Sequence, residues 1–335
     1  MKRAAYLLGL AGLAAAIALI AHAGWQLVLA ALAAAGPALL WLVPLRLVPI
    51  GLDAIAWRAL LAPRDDHGGA RWPVLLCVAV VREAVNRLLP VAGVGGELVG
   101  IRILVRRGVE AAAAAASVIT EVVLTTLSLV LFAAFGLALF LASSGGDSSL
   151  HSIALGVALA LPLPVACLWL IGEGRLVRWL KRFASVITGS AGEAPGWLQS
   201  IPALEAELSA LVRRRRRLAF AALFQLAGIA SGAAESWLAL RLLGHPIGVQ
   251  TALIIESVTL FARNLAFAVP AGLGAQEAGI VLICSAVGLG QDAALGLALA
   301  KRMREVLLGL PALAGWHLWE SVRWREVPGA ASASK

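Results

Sequence analysis

The sequence predicts an all-α polytopic membrane protein, with six full spans and two re-entrant helical hairpins arranged as an inverted repeat. Composition is the first reason. Of 335 residues, 61% are hydrophobic and 14% charged, with a mean hydropathy of +0.89, whereas soluble domains hold about 45–50% apolar residues. A soluble enzyme is excluded. The second reason is that the apolar residues run in unbroken Leu/Ala/Val stretches, unlike the ~10-residue alternating segments of a membrane β-barrel, so helices must satisfy the backbone. The third is a pair of Pro/Gly interruptions at matching distances from a glutamate.

The net charge of +9 would suggest nucleic acid in a soluble protein, but in a membrane protein basic cytoplasmic loops account for it. No nucleic-acid partner is expected. Cys77, Cys167 and Cys284 lie singly in apolar segments, and His22, His67, His151, His245 and His317 form no pair with metal-ligand spacing, so the cysteines read as small packing residues. Neither a metal nor another cofactor is expected.

The first span covers residues 4–21 after Met1-Lys2-Arg3. Ala21-His22-Ala23 resembles a signal-peptidase site, but an uncleaved signal anchor fits a chain that is membrane-embedded throughout. Residues 24–35, with Trp25, read as a short interfacial helix, and a second span covers 37–61. The loop from Pro63 carries Arg64 and Arg71. Residues 72–106 form the first hairpin, broken at Pro90 in PVAGVGGELVGIRIL. Spans at 109–141 and 152–172 flank SSGGDSSLH, which has no Lys or Arg.

Residues 173–217 are the main polar insertion, with nine basic residues against four acidic ones. They read as a cytoplasmic loop with an amphipathic helix over 197–212, or more sharply as a lipid-headgroup patch. A span at 218–243 follows, then a second hairpin over 249–288 broken at Pro270 in PAGLGAQEAGIVLI, and a final span over 293–319. Residues 1–322 form one membrane domain, and 323–335 a cytoplasmic tail expected to be disordered.

Lys/Arg-free loops at 22–36, 143–151, 244–250 and 288–292 share one side only if both hairpins enter and leave on the same face, which puts both termini in the cytoplasm. Positions 145 and 245 are then extracytoplasmic, and 68 and 190 cytoplasmic. Each hairpin's second arm, about 95–106 or 274–287, covers under about 22 Å, too short to cross.

The hairpins repeat. Pro90 precedes Glu97 by seven residues and Pro270 precedes Glu277 by seven, with Gly93, Gly95 and Gly96 in one gap and Gly272 and Gly274 in the other. Broken helices in opposite orientations are how inverted-repeat transporters build a site near the midplane. A break survives only where protein or a wet cavity surrounds it, so a cavity is expected there. The arm after each break offers free N–H groups and a positive dipole end, suited to an anionic or hydroxyl-rich headgroup. Glu97 and Glu277 sit in those first turns, where each also fits as a simple cap.

Other polar residues lie inside or at the ends of apolar segments, and each intramembrane charge costs about 2.5–3.5 kcal/mol to insert, so they are expected to face inward and pair. In the first half they are Arg82, Glu83, Asn86, Arg102 and Glu121, and in the second Glu235, Glu256, Arg263, Asn264, Gln276, Lys301, Arg302, Arg304 and Glu305. Arg82, Asn86, Glu121, Glu256, Arg263 and Asn264 are the strongest cavity candidates, whereas Arg87, Arg106 and Arg107 read as snorkelling cations. Trp237, beside Glu235 inside a span, departs from the interfacial placement of the other tryptophans.

The elements EAVNRLLPVAGVGGELVGIRIL, ESVTLFARNLAFAVPAGLGAQEAGIVLI and LAKRMREVLLGLPAL resemble the flippase-type transmembrane domain of lysylphosphatidylglycerol synthases. The likeness extends to its stand-alone relatives, most of all those associated with hopanoid biosynthesis. The resemblance implies an inner-membrane domain with two re-entrant hairpins that moves lipids between leaflets. Many relatives carry Glu-Arg and a later Asp where this chain reads Glu121-Val122-Val123-Leu124-Thr125, so no arginine role transfers there. No aminoacyl-transfer domain follows, so lysyl-lipid synthesis is not expected.

The expected function is translocation of a hopanoid or other amphiphile, without ATP hydrolysis because no phosphate loop exists. The alternatives are a lipid-modifying enzyme using Glu97, Glu277 or Glu121, for which no catalytic constellation is present, and a scaffold gathering lipid-biosynthetic enzymes through 173–217.

Overall fold

The computed structural model describes residues 36–61, 71–89, 95–144, 166, 201–265 and 275–325. The expected first span and interfacial helix, the span at 152–172, most of the polar insertion, the extreme tail and the break residues Pro90, Gly93, Pro270, Gly272 and Gly274 lie outside them. Among the described residues the ordered structure is entirely helical.

A 3₁₀ turn over Pro37–Trp41 leads into α1 (Leu42–Leu61), and together they match the expected span at 37–61. The first helix pair is α2 (Trp72–Leu88) with α3 (Gly95–Arg106), followed by the long α4 (Ala111–Ser144). Next come α5 (Ile201–Arg213), the amphipathic segment expected at 197–212, and α6 (Arg215–Leu242). The second pair is α7 (Val249–Leu265) with α8 (Ala275–Ala286), followed by α9 (Gln291–Arg325).

The repeat seen as Pro/Gly spacing extends to whole elements. Helices α8 and α9 begin at residues 275 and 291, each 180 positions beyond the starts of α3 and α4 at 95 and 111. Both short arms end at a left-handed glycine, Gly108 (φ 90°) and Gly288 (φ 81°), again 180 apart. The next residue's N–H closes the turn onto a carbonyl five positions back, Val109 to Leu104 at 3.1 Å and Leu289 to Cys284 at 2.8 Å. Glycine adopts that φ without Cβ strain, which is why this motif stops a helix sharply and lets the next start within a few residues.

Among the described residues, three helices are long and apolar enough to cross a bilayer, Pro37–Leu61, Ala111–Ser143 and Arg215–Leu242. Helix α9 covers the expected final span at 293–319 in one piece, but Lys301, Arg302, Arg304 and Glu305 interrupt its apolar character. The outer surface stays apolar, with Trp41, Leu98, Leu223, Leu282 and Leu318 all exposed, as expected where the surroundings are lipid tails rather than water.

Helix α6 packs along α1, α7 against α4, and α9 against α2. The two largest apolar clusters among the described residues lie around the helix pairs. One joins Leu137 and Phe140 of α4 to Leu240, Ile255, Ile280 and Leu297, around the second pair. The other joins Trp57 of α1 to Leu75, Val78, Leu104 and Val118, around the first. Cys284 is buried in the former, whereas Cys77 lies on the exposed face of α2.

Candidate functional site

The inward faces of the two helix pairs carry charged side chains bound to one another. Around the first pair, Arg82 on α2 donates through Nη1 to both carboxylate oxygens of Glu121 on α4, each at 2.9 Å, and through Nη2 to Glu97 on α3 at 3.3 Å. The Trp57 ring lies against its guanidinium at 4.6 Å, and the indole N–H donates to Ser117 at 3.1 Å. Trp57 thereby offers Arg82 a π-face where water would otherwise solvate it.

Asn86 ties the two arms together. Its Oδ1 accepts the Gly96 N–H at 2.8 Å and its Nδ2 donates to both oxygens of Glu97 at 3.2 Å. It fills from a neighbouring helix the role a capping side chain usually plays for its own. The approach is close: a Cβ at Gly96 would lie 2.6 Å from the Arg82 carbonyl oxygen and 2.8 Å from either Asn86 amide atom. Only glycine fits there.

The second pair faces a different arrangement. Glu305 on α9 accepts from Arg263 of α7 at 2.9 Å, Arg302 of its own helix at 2.9 Å and Arg87 of α2 at 3.4 Å. One buried carboxylate therefore joins the first arm of each pair. Arg302 also donates through Nε to Glu277 at 2.7 Å, and Arg263 donates to the Gln276 side-chain oxygen at 2.5 Å. Next to it lies a ring of alternating charges from four helices. Arg46 meets Glu83 at 2.8 Å, Glu83 meets Arg304 at 3.7 Å, Arg304 meets Glu235 at 2.9 Å, and Glu235 returns to Arg46 at 3.9 Å. Deeper in the core, Lys301 pairs with Glu256 at 2.7 Å, and Ser236 donates to the same carboxylate at 2.5 Å.

Most sequence-selected residues converge in this way, and two face elsewhere. Arg102 is exposed and joins Arg106 on Glu320, at 2.6 and 3.0 Å. Asn264 is exposed, and its amide donates to the Leu260 carbonyl one turn back at 2.8 Å. Gly95 opens α3. Trp237 is half-buried, with Arg241 over its ring at 5.3 Å. The snorkelling expected of Arg87 does not hold, because it is held inward between Glu83 and Glu305. Arg46 and Asp53 on α1 escaped the sequence reading, although a charge inside an apolar run is the signal that selected the others. Asp53 accepts from Gln225 of α6 at 2.6 Å, and Gln225 accepts from Thr125 at 3.0 Å.

Several buried donors have no acceptor, among them Gln276 Nε2, Arg302 Nη2, Arg46 Nε and Arg304 Nη1. An unmet buried donor costs about 1–3 kcal/mol. A recess lined by Leu60, Leu61, Ala113, Glu207, Leu211 and Arg214 contains none of these residues.

Apolar outer faces around interlocked inner charges define a multi-pass helical membrane protein whose interior is polar at two broken helix pairs. The chain belongs to the lysylphosphatidylglycerol synthase TM region family, which matches residues 5–312, and its function is accordingly lipid-related. No curated protein matches it.

Proposed function

We propose that the protein is a translocator moving an amphiphilic lipid between the leaflets of the bacterial inner membrane, and not an enzyme. Helices α2–α3 and α7–α8 act as re-entrant hairpins of opposite orientation among six full spans, with both termini cytoplasmic. A hopanoid is the lipid named by the resemblance to hopanoid-associated relatives, and lipid-biosynthetic enzymes are the partners it suggests. The observation that carries this reading is the pair of 12-residue second arms. At about 18 Å each they are too short to cross, and their first turns meet charged side chains instead of apolar ones. Ion pairs linking both hairpins across Glu305 supply the polar lining that a headgroup needs on its way through hydrocarbon.

The test is movement of a fluorescent lipid between leaflets in proteoliposomes. Transfer above that of protein-free vesicles supports translocation, and transfer equal to them refutes it.

A further inference from the structure

The ring of four charges is tight within each half of the chain and open between the halves. In the first half, Arg46 of α1 donates through Nη2 to Glu83 of α2 at 2.8 Å, and in the second Arg304 of α9 donates through Nε to Glu235 of α6 at 2.9 Å. These are ordinary charge-assisted hydrogen bonds. The two edges that join the halves are longer, with Arg46 Nη1 3.9 Å from Glu235 Oε2 and Arg304 Nη1 3.7 Å from Glu83 Oε1. Neither is a hydrogen bond.

The atoms on the open edges are buried and unmet. Glu235 is 1% and Arg304 3% exposed, and among the described residues nothing bonds to Glu235 Oε2, to Arg304 Nη1 or to Nε of Arg46. A buried polar atom left in that state is costly. Closing either edge directly would draw a guanidinium away from the carboxylate it already holds, and Glu83 is further engaged by Arg87 at 3.1 Å. Bridging an edge disturbs neither bond.

Each open edge has a donor on one side and an acceptor on the other, which decides what can bridge it. The guanidinium offers only N–H groups and the ionised carboxylate only lone pairs. A halide accepts from the arginine but cannot donate to the glutamate, and a metal ion binds the carboxylate but cannot accept from the guanidinium. Water does both. Polar groups held beyond about 3.5 Å with buried atoms unmet are where proteins place ordered water, and Glu83, with its side chain 20% exposed, gives the ring a face open to entry.

We infer that each open edge of the ring holds an ordered water, one donating to Glu235 and accepting from Arg46, the other donating to Glu83 and accepting from Arg304. Each half of the chain then keeps its own ion pair, and the halves meet at this level through water. This water site goes beyond the translocator reading, and neither depends on the other.

A crystal structure of the full chain in a lipid phase, at a resolution that shows ordered water, tests it. Crystals are grown in chloride and, in parallel, in bromide, which scatters anomalously wherever a halide is held. The expected result is a density peak on each edge, within about 2.7–3.2 Å of the carboxylate oxygen and of a guanidinium nitrogen, with no bromide signal at either. Four direct ion pairs with no peak between the halves would overturn the assignment, as would a peak on one edge alone. Bromide signal on either edge would also overturn it, by showing an anion held by the arginines.

Discussion

The two helix pairs share their spacing and differ in the sign of their charge. At the first, one guanidinium, Arg82, serves the carboxylates of Glu97 and Glu121. At the second, one carboxylate, Glu305, serves three arginines. The inversion can be followed residue by residue, because positions 180 apart place Glu83 against Arg263 and Glu121 against Lys301. Each of the latter two binds an opposite charge on the first arm of its own pair, Glu121 taking Arg82 and Lys301 taking Glu256. A duplicated backbone device thus carries unlike charged surfaces in its two copies.

The sharpest way to break this comparison is at its shared member. Glu305→Gln is expected to take one carboxylate from three arginines at once, of which Arg87 keeps Glu83 and Arg302 keeps Glu277, and to cost about 3–5 kcal/mol, the penalty of breaking a buried ion pair. Glu121→Gln leaves Arg82 its second partner, Glu97, and is expected to cost less. Thermal melting of the two purified variants checks the order, and a Glu121 variant that is the less stable would invert the proposed hierarchy.

A smaller effect is expected at Lys301. Lys301→Met alone should cost about 3 kcal/mol by removing the cation from the Glu256 carboxylate, which keeps only the Ser236 hydroxyl among the partners described above, while the Lys301→Met/Glu256→Gln double variant should regain most of it. A double variant no better than the single one would mean that the pair does not act as a unit.

The helix starts give a third contrast. Gly96→Ala drives a methyl group into Arg82 and Asn86 and should cost about 1–3 kcal/mol. Asn86→Ala should cost about 1 kcal/mol through the lost cap, whereas Asn264→Ala should stay within about 0.5 kcal/mol because that side chain is exposed. Denaturation in mild detergent would rank them, and similar losses for Asn86 and Asn264 would erase the asymmetry between the pairs.

Much of the helical layout was legible in the sequence because apolar runs and glycines set it. The second arm expected at 95–106 is α3 itself, and the span expected at 37–61 matches the first turn and α1. Side-chain partners were less legible, since they depend on which face each helix turns inward. Asn86 stands four residues before Pro90, and Asn264 six before Pro270. Two residues rotate a helical side chain by about 200°, so one asparagine reaches across the pair and the other faces out. Arg46 lacked any motif beside it. Only the approach of α1 to α2 and α6 brings it against Glu83 and Glu235.

The central claim is that both broken pairs handle substrate, and Glu97 and Glu277 test it most directly. As caps alone, each carboxylate is worth about 0.3–1 kcal/mol, and Glu→Gln would leave transport intact. As part of the substrate path, each charge is needed although the shape hardly changes. Lipid transfer by Glu97→Gln and Glu277→Gln in proteoliposomes, normalised to folded inserted protein, is the decisive measurement. Transfer lost in both variants at normal insertion is the expected result, and near-wild-type rates in both would contradict the account.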